Sequence, residues 1–148
     1  MSTRPTLAVK RLHPAAVVPS YQSDGAAGMD LHAAIDTAII IAPGAIAKIS
    51  IGISIALPPG HEGQVRPRSG LASRYGITLP NAPGTIDEDY RGEILVPLIN
   101  HSCEPFTVEP GMRVAQIVVA PVTRCDPLEV EDLDATARGA AGFGSTGA

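Results

Sequence analysis

The sequence has no tryptophan, and its aromatic set is 3 tyrosines and 2 phenylalanines. A buried core must therefore be built from Ile, Val, Leu and Ala. Cysteine is almost as scarce. Cys103 and Cys125 are too few for a disulfide framework or a zinc site, and read as two free thiols in a reducing compartment. There is no excess of positive charge. Lys and Arg number 11 against 15 Asp and Glu, for a net charge of −4. That argues against electrostatic binding to nucleic acid or to an anionic membrane. It leaves open a small anionic ligand held by a few local arginines. Long apolar runs are missing too. None reaches the roughly 18 residues of a membrane span, and residues 1–20 lack the continuous apolar stretch of a signal peptide. Their want of acids, with Arg4, Lys10 and Arg11, leaves a transit role open. Leu7-Ala8-Val9 followed by Lys10-Arg11-Leu12 reads better as a first strand. A cytoplasmic location is the expectation.

What is abundant is punctuation. Among 148 residues there are 15 glycines and 14 prolines, more than usual yet short of low complexity. The length fits one domain of the common 100–200-residue size, roughly, and no internal repeat is present. Turn signals at Pro43-Gly44, Pro58-Pro59-Gly60, Ala82-Pro83-Gly84 and Glu109-Pro110-Gly111 cut the chain into short pieces. Between them residues 48–57 alternate, with Ile49, Ile51, Ile53, Ile55 and Leu57 on one face. A period of two predicts one half-buried strand. Residues 92–99 predict another, with Pro97 placing it at an edge or a bulge, and residues 113–122 a third. Shorter strands are expected at 7–12, 30–34, 39–42, 63–66 and 77–79. Many short, turn-separated strands indicate an antiparallel sandwich, barrel or jelly roll. One helix is predicted, over 69–75 (SGLASRY), with Gly76 as its C-cap. Residues 126–134 carry five acids and read as a solvated connector.

Four groups could carry chemistry. Arg66-Pro67-Arg68-Ser69-Gly70 puts two guanidiniums and a hydroxyl at the start of the helix, where free N–H groups suit phosphate. A solvated turn with Ser69 as an ordinary N-cap is the plainer alternative. The segment 138–147 offers Arg138, Ser145, Thr146 and glycine-exposed N–H groups, which can wrap a phosphate as a nest. It lacks the lysine and spacing of a P-loop. Its Phe143 either packs on the protein's own surface or stacks on something planar; a disordered tail is the alternative. Residues 81–92 read as a hairpin between two strands, with Asp87, Glu88 and Asp89 crowded at its tip. A carboxylate there could orient or deprotonate a water, or help hold a hydrated Mg²⁺. A polar turn would look the same. Last, Asp30 begins an apolar strand and needs a partner, either an Arg or a metal-bound water. Gln116 is likewise polar within an apolar run. Either could instead face solvent. His13, His32, His61 and His101 show no spacing that makes a metal site.

In order, these segments resemble the five motifs of the trimeric deoxyuridine triphosphate nucleotidohydrolases, the dUTPases. They are Ala27-Gly28-Met29-Asp30-Leu31, then Arg68-Ser69-Gly70-Leu71-Ala72, then residues 81–92 around Gly84-Thr85-Ile86-Asp87 and Tyr90-Arg91-Gly92. Gly111-Met112-Arg113-Val114-Ala115-Gln116 and Arg138-Gly139-x-x-Gly142-Phe143-Gly144-Ser145-Thr146-Gly147 complete the set. His32 departs from the aromatic residue frequent there.

The resemblance implies an all-β, distorted jelly-roll or β-barrel-like subunit with one short helix and a flexible glycine-rich tail. The core would span about 5–126, the acidic connector about 126–137 and a C-terminal lid 138–147, all in one domain. It implies a homotrimer with active sites between subunits, and Mg²⁺-dependent hydrolysis of dUTP to dUMP and pyrophosphate. That reaction limits uracil incorporation into DNA and supplies dUMP for thymidylate synthesis. Asp87 would activate the water that attacks the α-phosphate. Tyr90 would pack on the sugar and exclude a 2′-hydroxyl. Asn81, with the backbone of Gly84, Thr85 and Ile86, would hold the uracil edge. Arg68, Ser69, Gly70 and Gln116 would hold phosphates. Asp30 would support the metal's water shell or a nearby Arg. Phe143 would cover the uracil, with Arg138, Gly144, Ser145 and Thr146 on the phosphates. The alternatives are a dCTP deaminase-like enzyme, whose glutamate beyond the hairpin is replaced here by Pro97, and a catalytically inactive nucleotide-binding regulator.

Overall fold

The computed structural model describes residues 4–145 and Gly147. Eleven strands and one helix follow in order among them: β1 (Ala8–Arg11), β2 (Met29–His32), β3 (Ile39–Ile41), β4 (Ile46–Ser50), β5 (Ile53–Ala56), β6 (His61–Arg66), α1 (Ser69–Tyr75), β7 (Ile77–Thr78), β8 (Gly84–Ile86), β9 (Leu95–Asn100), β10 (Phe106–Val108) and β11 (Arg113–Pro121). All observed pairings are antiparallel. The largest sheet runs β2-β11-β6-β8. Beside it stand β4-β9-β7 and the two-stranded pairs β1-β5 and β10-β3.

The stretch 48–57 is not one strand. It divides into β4 and β5, which belong to different sheets. Gly52 makes the corner at φ +68°, and a Cβ there would stand 2.7 Å from the Ala34 Cβ and 2.8 Å from the His13 Cβ. Only glycine fits both the backbone angle and the space. Ile49, Ile51, Ile53, Ile55 and Leu57 are all buried, because the corner is itself wrapped by core. Pro97 is not on an edge strand: β9 lies between β4 and β7. However, β7 pairs only with Ile99 and Asn100, so at Pro97 the sole strand neighbour is β4. A missing N–H is tolerated there for the same reason it is at an edge. Two three-residue strands, β8 and β10, have no counterpart in the sequence pattern.

The core is aliphatic, as the composition requires: Leu31, Ile41, Ile49, Ile51, Ile53, Ile77, Leu98 and Ile117 are among its fully buried side chains. The buried polar Asn100 is fully bonded. Its Nδ2 donates to the carbonyls of Ile41 and Glu104, and its Oδ1 accepts from the amide and hydroxyl of Ser102. The helix has the predicted bounds, and Gly76 ends it in the left-handed region at φ 65°. Residues 126–134 are exposed and carry no strand, as a solvated connector should. Both cysteines are free and exposed. No helix is long and apolar enough to cross a membrane among the described residues.

Candidate active site

Three strands bring the first cluster together. Gln116 at the centre of β11 stands opposite Asp30 on β2 and opposite Arg66 on β6. Directly opposed residues share a face, so the three polar side chains form a row across the sheet. Past Arg66 the chain turns through Pro67 into α1 and carries Arg68 back over Asp30. The Arg68 Nε donates to one carboxylate oxygen at 3.1 Å, and an Arg113 nitrogen stands 3.5 Å from the other. The Arg68 guanidinium also reaches the Arg113 carbonyl at 3.4 Å. Asp30 therefore has its partner, and it is a pair of arginines. Gln116 donates to the Pro67 carbonyl at 2.9 Å, and Gly28 leaves it room, since a Cβ there would lie 2.5 Å from its Oε1. A polar cleft lined by Asp30, Arg68, Ser69, Gly70 and Gln116 results.

Ser69 is not the N-cap. Arg68 holds that position, with no side-chain cap bond. The first amides of the helix are thus left for another acceptor. His32, at the end of β2, has a buried Nδ1 without a hydrogen-bond partner. Burial pushes its pKa below the ordinary histidine value. Asp30 opposes that shift, while Arg113 and Arg68 reinforce it.

The second cluster is built on residues 81–92. This segment is more than a hairpin: its middle forms β8, which pairs with β6 in the large sheet. Alternation along β8 buries Gly84 and Ile86 and exposes Thr85. The segment encloses a cavity of about 200 Å³ whose wall includes Asn81, Thr85, Asp87, Tyr90, Glu93 and Pro97. That is below the roughly 300 Å³ at the small end of drug-sized pockets, a size for one small ring system. Gly84 and Ile86 complete the wall.

The three acids at the tip separate. Glu88 accepts from the Gly60 amide at 2.8 Å and lies 3.8 Å from Arg124. Asp89 is exposed. Asp87 lies at the cavity wall, and its carboxylate has no hydrogen-bond or ion-pair partner among the described residues. Arg91 serves the loop itself, donating to the carbonyls of Glu88 and Tyr90.

The two clusters line separate pockets, which share no lining residue, although Ala82 and Pro83 border the groove that Ser69 and Gln116 also line. Along β6, Val65 faces the cavity, while Gln64 and Arg66 line a groove beside the Arg68 cluster. Among the described residues the tail meets neither. Arg138 donates only to the Ala141 carbonyl, Phe143 is fully exposed, and Gly144 and Ser145 lie in an exposed turn. Thr146 lies outside the described residues. Sequence reading missed two contributors: Arg113, the second arm on Asp30, and Glu93 in the cavity wall. Among the described residues no three His, Cys, Asp or Glu side chains gather where they could hold a metal ion.

Comparison with known proteins gives one consistent result. A family model described as dUTPase matches residues 15–147. A deoxyuridine 5′-triphosphate nucleotidohydrolase of Syntrophotalea carbinolica is 54% identical over 142 residues, covering 96% of this chain and 97% of its own. The solved Staphylococcus bacteriophage 80alpha dUTPase with dUPNHPP superposes with a TM-score of 0.89 at 25% identity, over 97% of this chain and 99% of that one. A mutant dUTPase from phage phi11 of S. aureus, described as coordinating a structural Mg(II) ion, superposes with a TM-score of 0.80 at 20% identity over 88% of this chain and 99% of that one. The fold is the jelly-roll-like β fold of these proteins.

Proposed function

Since the chain belongs to the dUTPase family and is a dUTP diphosphatase, hydrolysing dUTP to dUMP and pyrophosphate, we propose that Asp87 is the group that activates the attacking water. The observation that carries this is its position. A carboxylate acting as a base must be within reach of a water and not already engaged. Asp87 stands at the cavity wall, and its carboxylate has no partner among the described residues. Glu88, its neighbour, is consumed by Gly60 and Arg124.

The remaining roles follow from the chemistry of each wall. Asn81 and the outer backbone edge of β8 at Gly84, Thr85 and Ile86, where the sheet ends, take the uracil edge, and Tyr90 stands against the sugar. Arg68, Ser69, Gly70 and Gln116 take the phosphates. Hydrolysis of a phosphoanhydride needs positioning and charge stabilisation more than covalent help. Asp30 has a positioning part, since it fixes Arg68 before substrate arrives. The donor set also fits Mg²⁺ carried chiefly by the triphosphate. Mg²⁺ keeps several waters and seldom needs a protein cage, and both Asp30 oxygens are already turned to Arg68 and Arg113. When bound, the ion neutralises charge on the phosphate oxygens.

We infer a homotrimer whose active sites form between subunits. The support is that the nucleoside cavity and the phosphate cleft of one chain share no lining residue, which leaves each to be completed by a second copy. Residues 138–147 would close over the nucleotide, Phe143 on the base and Arg138, Gly144, Ser145 and Thr146 on the phosphates. The chain is then one domain, with core about 5–126, connector 126–137 and lid 138–147. The exposed thiols fit a cytoplasmic location. A deaminase reading is disfavoured because Pro97, in the cavity wall, has no acid to offer.

The test is Asp87→Asn, assayed for pyrophosphate release from dUTP beside dTTP, dCTP and UTP. Turnover of dUTP should fall by about 10²–10⁴-fold, the usual worth of a general base, with dUTP binding retained. Normal turnover would remove Asp87 from the mechanism. Ammonia from dCTP in the parent protein would reopen the deaminase reading.

A further inference from the structure

Tyr90 is 45% exposed, and a side chain on an open turn changes rotamer unless its tip is fixed. Two features fix it. Its Oη donates to the Glu93 carbonyl at 2.9 Å. Gly92 lets the ring lie against the chain, because a Cβ there would stand 2.4 Å from the Oη. The ring tip is thus placed only as well as residue 93. The Glu93 side chain runs the other way, to the corner between β4 and β5. Its Oε1 accepts from the Ser50 hydroxyl, and from the Gly52 amide at 3.2 Å. That corner is bedded in core, with Ile49, Ile51 and Ile53 fully buried.

Resting on the reading of Tyr90 as the wall against the sugar, we propose that Glu93 is a positioning residue for selection of deoxyribose over ribose. Its carboxylate ties Tyr90 to the buried corner at Gly52. A wall that rejects one hydroxyl must hold its place to a fraction of an ångström, since a shift of that size admits the extra oxygen. A rival anchor exists. The Ile94 amide on the same peptide donates to the Ile53 carbonyl at 2.9 Å, and it could hold residue 93 unaided.

The two anchors are separated by the ratio of kcat/KM for dUTP to that for UTP. A merely structural defect lowers both rates and leaves the ratio unmoved. Glu93→Ala loses both bonds and should lower the ratio about tenfold, within the range for small shape differences in a pocket. Glu93→Gln keeps an Oε1 able to accept both bonds, and should hold the ratio within about threefold of the parent. Ser50→Ala removes one bond and should fall between. It carries the test if thermal melting shows Glu93→Ala unfolded. An unchanged ratio in Ser50→Ala and in any folded Glu93→Ala, beside a lowered ratio in Tyr90→Ala, would overturn the inference and leave the backbone bonds of Ile94 with Ile53 and Ile51 as the anchor. An unchanged ratio in Tyr90→Ala would instead remove the sugar wall itself.

Discussion

The Asp30 cluster and the C-terminal tail are both assigned to phosphate, and they are built in opposite ways. In the cluster both Asp30 oxygens face arginines, Gln116 is held by Pro67, and the groups sit on three paired strands and the start of α1. In the tail, among the described residues, Arg138 bonds only to Ala141 and Phe143 is fully exposed. A cluster already in place stabilises charge without reorganising when substrate arrives. A tail must be ordered by what it meets, at about 1–2 kcal/mol of entropy for each residue fixed. Its gain then lies in closure and exclusion of water, and little of it survives as affinity. On the proposed reading, one region is a fixed electrostatic template and the other a movable cover.

The largest expected effect breaks the comparison at the tail. A chain lacking residues 138–148 should lose about 10²-fold or more in kcat/KM for dUTP, the scale on which lost positioning is felt. Its melting temperature should stay within about 2 °C of the parent, because none of the segment's described residues packs in the core. A much lower melting temperature, or aggregation, would make the tail a structural element and erase the contrast.

The converse effect belongs to Asp30. Asp30→Ala leaves Arg68 and Arg113 facing one another with their acceptor gone. The expected loss is about 1–3 kcal/mol of stability, as for a partly buried charged hydrogen bond, with a raised KM for dUTP. An unshifted thermal melt would mean that Arg68 is positioned by other contacts.

These contrasts are only partly visible in the sequence. Asp30 and Phe143 can be singled out because each is a chemically odd residue in its stretch, whereas Arg68 beside Arg66 and Asp87 among three acids are distinguished only by the family resemblance. The bounds of α1 are legible because Gly76 marks its end. The division at Gly52 is not, since the apolar alternation continues through the corner and both sides are buried. β8 and β10 are three residues each, too short for a period to register. Arg113 is hidden by the register shift between Arg113 and Ala115, which spoils counting along β11. Glu93 bonds to residues more than forty positions away, and local pattern holds no trace of that.

The smallest effect sharpens the picture of the fixed cluster through His32. Its Nδ1 is buried without a partner, and burial holds its pKa below 6.5, with Asp30 raising it and Arg113 and Arg68 lowering it. A histidine whose folded pKa is depressed takes up its proton more readily when unfolded. Stability is then fully present above the unfolded pKa, and is lost as pH falls from about 6.5 toward the folded value. His32→Phe keeps a ring but cannot titrate. On going from pH 7.5 to 5.5, the melting temperature should therefore fall further for the parent than for His32→Phe, by about 1–2 °C. Equal falls would mean that solvent reaches the ring in the folded chain, and that the row from Asp30 to Arg66 is wetter than its bonding pattern implies.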